Sequence, residues 1–547
     1  MDAQPLATPE FFLDPRKPEV VLIFPRTIEL EFISVDIPYS IFFVASYLRK
    51  FGYPVSLFDQ RKMPFRAMLK YIKDRGVRYV GVSTMTGPQL LFAEEISTQI
   101  RRLGRDIKVF WGGVHPSIAP ETCLELDCVD YVIRGEAEET CVRFLECLEA
   151  GGDLATVEGV SWKTEDGRFI HNRDRAFMDI DQISLDWRLI DAERYVLRRN
   201  GRRSLAFITS RGCPFRCQFC WDVIVHNRTF RFWSHPHLVR ELDKLLQFDI
   251  GYIEFFDDNI GSNKNHLFGL CEYLKGKDIQ WFSSLRADFV TRPGVVERLH
   301  NLHDCYMGVE SGSQRVLDSI QKDQKVQTII DAANALKSVG VTGNYSWIIG
   351  LPGEERADLE QTLALVDKIG EVQPNAPQRL RIYSPYPGAP LYEKAKAMGY
   401  RTPQDLYEWS RLSRENCELD YIVDKWELKT ISYTSYFKFY LGRQHIVKPI
   451  YYLPALVLKG IAGLRWKYKL FKWPLEIYVV EAYRKLLSNS FAKLLYRVRR
   501  RLARLGRDRS PSVPERPAMV SRAVKWRGLS KEQGNRPEIP AGSRSAR

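Results

Sequence analysis

TSRGCPFRCQFCWD, residues 209–222, sets three cysteines in the pattern C-x3-C-x2-C directly behind the apolar run LAFITS (205–210). That run reads as a strand, so Cys213, Cys217 and Cys220 fall on the loop at its carboxyl end. Three thiols within eight residues suit a metal, because thiolates are soft, strong ligands. A structural zinc takes four protein ligands, so a second cysteine pair should follow. None does: Cys271, Cys305 and Cys417 stand alone. An iron–sulfur cube is ordinarily held by four cysteines, and three leave one iron free to chelate a small molecule. Zinc and a chance grouping stay open at this point.

Downstream of the loop, five further apolar runs recur between helical stretches: YIEFF (252–256), QWFSSL (280–285), CYMGVE (305–310), GNYSWII (343–349) and RLRIYS (379–384). Strands alternating with helices imply a parallel sheet. Six such units predict a partial, open (β/α)6 barrel over residues 201–400, with its chemistry at the carboxyl ends of the strands. Upstream, a second alternating series fills residues 18–150. Its strands are VVLIF (20–24), VSLFD (55–59), YVGVST (79–84), KVFWGG (108–113) and YVIRG (131–135), with helices expected over 40–52, 64–75 and 88–103. Ligands of such sheets sit beyond the carboxyl ends, here in PRTIE, STMTG, GGVHP and RGEAE. The whole is an α/β fold in which a Rossmann-like domain precedes the barrel. Residues 1–17 read as a leader and 151–200 as an irregular, charged linker.

After residue 400 the pattern changes to a mainly helical, basic region (401–507) and a tail (508–547) too poor in large apolar residues to fold. Residues 438–507 hold 17 Lys and Arg against two acids, interleaved with Trp, Tyr and Leu. Over the whole 547 residues the net charge is +14. A cationic, aromatic helical segment suits peripheral contact with an anionic membrane. A packed helical subdomain with a solvated basic face explains it as well. Nucleic acid is not expected, because no RNA-binding module accompanies RVRRRLARLGR (497–507). The longest candidate for a membrane span, Ile450 to Leu464, is short and interrupted by Pro454 and Lys459. No signal pattern opens the chain, so the expected location is the cytoplasm, with contact at the inner face of the membrane. A reducing compartment makes a disulfide framework of the ten cysteines implausible.

The cysteine spacing resembles the signature of the radical S-adenosylmethionine superfamily, and the resemblance extends through residues 200–400. Asp257–Asp258 follows the second barrel strand, GVESGS (308–313) the fourth, WIIGLPGE (347–354) the fifth and YSPYPGAPLYE (383–393) the sixth. The resemblance implies that Cys213, Cys217 and Cys220 hold a 4Fe–4S cluster whose open iron chelates S-adenosylmethionine. Phe219 would then touch the adenine, Glu310 the ribose hydroxyls, and Ile348 and Gly350 would flank the adenine. Asp257 or Asp258 would lie near the amino group, although the Gly-Gly-Glu of many relatives is absent. Trp347, Tyr383 and Tyr386 are candidate walls of the substrate cavity, with core packing as the alternative.

IPYSIFFVASYLRKFGYPVSLFD (37–59), VGVSTMTGPQ (80–89), WGGVHPSIAPE (111–121) and DYVIRGEAEE (130–139) resemble the cobalamin-binding domains that precede many such barrels. The resemblance implies corrin contacts at Ser83, Thr84, Thr86 and Gly87, with close approach at Gly112, Gly113 and Gly135. The Asp-x-His-x-x-Gly motif that supplies a lower cobalt ligand elsewhere is missing. FPRTIELEF (24–32) stands in its place, and His115 is read as part of a turn. The implied activity is reductive cleavage of S-adenosylmethionine, with electrons from a flavodoxin or ferredoxin, to methylate an unactivated carbon; membrane contact by residues 438–507 would point to an apolar, lipid- or pigment-like substrate. Two alternatives are an oxidative cyclase of the anaerobic magnesium-protoporphyrin ester type and a non-catalytic cobalamin or iron–sulfur protein.

Overall fold

The computed structural model describes residues 11–27, 36–412, 419–422, 424–440 and 452–479. Strands β1 (Val20–Phe24), β2 (Val55–Asp59), β3 (Tyr79–Ser83), β4 (Lys108–Gly112) and β5 (Tyr131–Ile133) form a parallel sheet in the order β2-β1-β3-β4-β5. Their near-continuous apolar sequences fit strands covered on both faces. The chain leaves β1 to one side for β2 and returns to the other side for β3. This reversal opens a crevice beyond the carboxyl ends of β1 and β3.

The helix Tyr39–Lys50 begins behind Pro38 and ends with Arg49 and Lys50, cations suited to a helix C-terminus. It stops where Gly52 takes φ +84°, a left-handed residue just past the end. Tyr39 and Ile41 to Leu48 are all buried. Such all-round burial needs cover on both sides. The sheet supplies one, and Trp187 and Trp233 supply the other, with ring centroids 5.4 Å from Phe42 and 6.3 Å from Phe43.

The stretch 151–200, expected to be an irregular linker, carries regular structure. Strands β6 (Val160–Lys163) and β7 (Phe169–His171) form an antiparallel hairpin that extends the first sheet to seven strands. Short 3-10 turns follow, and then β8 (Leu197–Arg199), which pairs antiparallel with β9 (Arg202–Phe207).

Strand β9 starts the second sheet. A two-residue strand β10 (Ser210–Arg211) pairs with β11 (Arg231–Phe232) outside it. The sheet continues through β12 (Tyr252–Phe255), β13 (Gln280–Ser284), β14 (Leu302–Glu310), β15 (Thr342–Ile349) and β16 (Gln378–Ile382). Six parallel strands run β16-β15-β14-β13-β12-β9, with β8 as an antiparallel edge, so the barrel is open. The other edge, β16, is covered by the helix Lys425–Ser435. Ser435 Oγ accepts from Leu380 N at 3.0 Å, and Ser432 Oγ donates to Leu380 O at 2.8 Å. The outward backbone groups of Leu380 are thereby paired within the chain.

The region beyond residue 400 does not form a separate body from its start. Leu406 and Trp409, on the short helix Leu406–Ser410, are buried in the core of the first sheet beside Val82, Leu90 and Trp111. The leader's first ten residues, Cys417, most of the basic segment 438–507 and the tail 508–547 lie outside the described residues.

Candidate functional site

Asp257, at the carboxyl end of β12, ties down the chain as it leaves β9. Its Oδ1 accepts from Thr209 N at 3.0 Å, Thr209 Oγ1 at 2.9 Å and the Ser210 hydroxyl. The β10–β11 pair then closes the base of a loop that carries the three cysteines. Gly212 opens the loop at φ +80°, and a Cβ there would lie 2.1 Å from the Thr229 carbonyl oxygen, so no side chain fits. Its N–H donates to Asp258 Oδ2 at 3.0 Å. The far side is pinned as well. Gln218 N donates to Ile320 O at 2.9 Å, and Leu391 N donates to Gln218 O at 3.1 Å. The Arg286 guanidinium lies 3.8 Å from the centroid of Phe215.

Cys217 is buried, and Cys213 and Cys220 are half-buried. Burial pushes the Cys213 thiol up, and pushes Cys220 well up with help from Asp222, Cys217 and Cys213. Thiols so placed stay protonated unless a cation takes the sulfur. Cys271 and Cys305 are buried in the hydrophobic core, on the helix Lys264–Leu274 and in β14.

Next to Cys220, both carboxylate oxygens of Asp222 are buried without a hydrogen-bond partner. Burial, and then the charge of Asp258, raise its pKa to about 8. Asp222, His226 and Asp258 each place one ligand-capable atom within 4.8 Å of the others. The two adjacent aspartates therefore divide their work. Asp257 latches the strand end, and Asp258 faces the cysteine loop.

Glu310 ends β14 at φ +65°, a left-handed conformation that costs a residue with a Cβ roughly 1–2 kcal/mol. The β14–β15 register shifts at this point, between Gly308 and Glu310. The Glu310 carboxylate accepts from Lys322 Nζ at 2.7 Å, and each residue is only 6% exposed. The ammonium lies 5.8 Å from the centroid of Phe219. Burial opposes its charge, but Glu310 and Cys217 raise its pKa. Phe219, Glu310 and Lys322 thus meet beside Cys217. Lys322 sits in a turn with no periodic or spacing signal, and the sequence reading missed it. Asp222 and His226 were missed for the same reason.

Beyond β15, Gly350 takes φ +78° and is covered by Leu419 and Leu428, whose methyl carbons a Cβ would meet at 3.2 and 2.9 Å. Its N–H donates to Glu354 Oε2 at 2.5 Å and its carbonyl accepts from Tyr421 Oη at 2.8 Å. Burial raises Glu354 to about 7, and its Oε1 is buried without a partner. Ile348 is half-buried, while Trp347 is fully buried with its indole N–H unpartnered. Tyr383 is buried and Tyr386 half-buried.

At the carboxyl edge of the first sheet, the candidate loops bind one another. Ser83 Oγ pairs with Ser40 Oγ at 2.9 Å, and Thr84 N donates to Gly112 O at 2.8 Å. Gly113 has φ +102°, and a Cβ there would lie 2.5 Å from Thr84 O. A Cβ on Gly87, φ +115°, would lie 2.7 Å from the carbonyl oxygen of Leu412, so the returning chain occupies that approach. Gly135 is open, with its N–H donating to Ser117 Oγ at 2.9 Å. His115 belongs to the short helix Val114–Ile118 and is fully buried. Its Nδ1 lies 3.2 Å from Thr86 Oγ1 and its Nε2 3.1 Å from Thr122 Oγ1. Both ring nitrogens are engaged, and burial lowers its pKa to about 3.

The two carboxyl edges are clamped together. Arg211, at the root of the cysteine loop, binds Glu138 at 2.6 Å and Glu136 at 3.5 Å, both beyond β5. Arg231 binds Glu136 as well, at 2.5 Å. Burial works against the Glu136 charge, but Arg231 and Arg211 hold it below the usual carboxylate range. Tyr39 Oη donates to Ala206 O at 2.7 Å.

Residues 34–145 match the family model described as B12 binding domain, and residues 207–366 match the one described as Radical SAM superfamily. An uncharacterized methyltransferase of Pyrococcus horikoshii is 28% identical over 437 residues, covering 78% of this chain and 93% of that protein. An anaerobic magnesium-protoporphyrin IX monomethyl ester cyclase of Rubrivivax gelatinosus is 24% identical over 371 residues, covering 64% and 65%. Among solved structures, the cobalamin-dependent S-adenosylmethionine radical enzyme OxsB superposes with a TM-score of 0.57 at 24% identity. The match covers 70% of this chain and 55% of that longer one. The radical S-adenosylmethionine methyltransferase TsrM from Kitasatospora setae gives 0.58 at 19% identity, covering 71% and 78%. These two likenesses show the fold.

Proposed function

We propose that this chain, which belongs to the radical S-adenosylmethionine superfamily and carries a B12-binding domain ahead of its barrel, methylates an unactivated carbon of an apolar small molecule. The observation that carries this reading is the clamp from Arg211 to Glu138 and Glu136. It joins the three-cysteine loop to the carboxyl edge of the B12-type sheet, so two cofactors held there would face one substrate. When bound, the cluster and S-adenosylmethionine supply a one-electron cleavage that yields a 5′-deoxyadenosyl radical, and cobalamin supplies a methyl carrier.

The residues fit those groups. Cys213, Cys217 and Cys220 would hold the cluster as three soft donors. Asp258, with Asp222 and His226 beside Cys220, would accept a hydrogen bond from the amino group of S-adenosylmethionine. Glu310, oriented by Lys322, would accept from the ribose hydroxyls, and Phe219 would lie against the adenine. Ile348 and Gly350 would line the adenine's other side, with Glu354 holding the turn. On the B12 side, Gly112 and Gly135 remain proposed corrin contacts with an open approach. Ser83, Thr84, Thr86, Gly87 and Gly113 would shape that surface, since their own groups or approach are already engaged within the chain. His115 is committed to Thr86 and Thr122 and would leave cobalt without a histidine from below. A one-electron reductant is the required protein partner.

The test is anaerobic reconstitution of the full chain with iron, sulfide and cobalamin, followed by incubation with S-adenosylmethionine, a reductant and candidate pigments or lipids. Methyl transfer yields S-adenosylhomocysteine beside 5′-deoxyadenosine. The likeness to the magnesium-protoporphyrin cyclase favours a second reading, oxidative ring formation, which yields 5′-deoxyadenosine without S-adenosylhomocysteine. Loss of neither iron nor cleavage in Cys213→Ala would overturn both.

A further inference from the structure

We infer that residues 452–479 form a lipid-facing platform that seats the protein on an anionic membrane surface. The helix Tyr452–Tyr468 has an inner face at Ala462 and Trp466, which are 3% and 2% exposed. Trp466 packs against Phe439 and Phe471 and donates its indole N–H to Asp367 at 2.6 Å. That anchor fixes which side looks out. Val457, Leu464 and Tyr468 fall on one stripe by helical spacing, opposite Ala462 and Trp466, and are 56–61% exposed, with Leu456, 47% exposed, to one side of it. A helix with apolar residues on both faces needs cover on both.

The chain then turns, and the turn is built rather than loose. The Arg465 guanidinium donates to the carbonyls of Leu470 at 2.6 Å, Lys472 at 3.2 Å and Trp473 at 3.0 Å, and pairs with Glu476. This holds Trp473 out at 84% exposure, with Leu475 beside it at 72%. An apolar stripe and a fixed, projecting tryptophan suit the acyl–headgroup boundary, where an aromatic ring with one polar group gains most.

Charge selects the occupant. Residues 452–479 carry Lys459, Arg465, Lys467, Lys469 and Lys472; Glu476 is spent on Arg465 and Asp367 pairs with Lys469 at 2.7 Å, which leaves Lys459, Lys467 and Lys472 as the cations that face outward. The sequence onward to residue 507 adds further Lys and Arg with one acid, Glu481. A partner facing this surface must be apolar within and anionic at its rim, as a bilayer containing acidic lipids is. No described helix is long and apolar enough to cross a membrane, so the contact is interfacial.

Flotation of the full chain with phosphatidylcholine vesicles, with and without phosphatidylglycerol, tests this without any cofactor, so its result is independent of the proposed reaction. The expected result is binding that needs phosphatidylglycerol and weakens with salt. Trp473→Ala with Leu475→Ala should lower the partition coefficient by about tenfold or more. Lys467→Gln with Lys472→Gln should lower it too. All these side chains are exposed, so the variants should melt with the wild type. Equal binding by the variants, or none by the wild type, overturns the inference. So does a dimer that Trp473→Ala dissociates, which makes the patch a contact between copies. Shielding of Trp473 from a soluble quencher in lipid-free protein also overturns it, because the chain's own residues would then cover the patch.

Discussion

Lys322→Met keeps the length and most of the volume of the lysine and removes its charge. The Glu310 carboxylate, 6% exposed and 2.7 Å from the ammonium, would be left facing a thioether. Removing one partner of a buried ion pair costs about 3–5 kcal/mol, because the remaining charge keeps its desolvation penalty and loses the attraction that offset it. Glu310→Gln in the same chain removes that stranded charge. The double variant should therefore recover to within about 1 kcal/mol of the wild type, so its cost is far below the sum of the single changes. Urea unfolding followed by circular dichroism gives the three differences. Equilibrium dialysis of the reconstituted protein against S-adenosylmethionine adds the functional arm. There the double variant should bind weakly despite its restored stability, since a glutamine pairs less strongly with a ribose diol than a carboxylate does. A Lys322→Met chain that unfolds at the wild-type urea concentration, or additive costs in the double variant, would refute the argument that these two charges depend on each other.

Burial holds His115 neutral, with its pKa lowered from 6.5 to about 3. Because the folded value lies below the unfolded one, its contribution is present above pH 6.5 and is lost as pH falls toward 3. About 2 kcal/mol should be gone at pH 5, and His115→Gln should flatten that part of the stability profile. Trp409→Ala should cost roughly 3–5 kcal/mol, read as a lower urea midpoint. Its ring is 3% exposed and meets His115 edge-on at 5.6 Å, so an unchanged midpoint would show that this segment does not brace the first sheet. Gly212→Ala should reduce the iron taken up on anaerobic reconstitution, through the clash with Thr229 O. Gly463→Ala, where a Cβ meets nothing within 4 Å, should retain wild-type iron.

Much of the architecture could be read along the chain. The runs VVLIF and VSLFD became β1 and β2 at the expected limits, the first because an interior parallel strand needs unbroken apolar sequence, the second because an edge strand needs it only in part. The β6–β7 hairpin escaped notice, since strands of four and three residues with Ser, Lys and His carry no periodic signal. The short helix Leu406–Ser410 was assigned to the C-terminal region by position. Nothing in its five residues shows that Leu406 and Trp409 complete a core whose other buried residues lie between Val21 and Val132.

The cysteine loop marks the same division. Its C-x3-C-x2-C spacing, the strand before it and the glycine that starts it are local properties, and local properties are written in consecutive residues. The company those cysteines keep is not local. Lys322 reaches Glu310 and Phe219 through a turn that follows β14, Asp258 meets Asp222 across the loop base, and Arg211 meets Glu138 from another domain. Each of these contacts depends on two segments arriving at one place. That arrival is decided by burying apolar faces over the whole chain, a sum over many residues that no single motif contains.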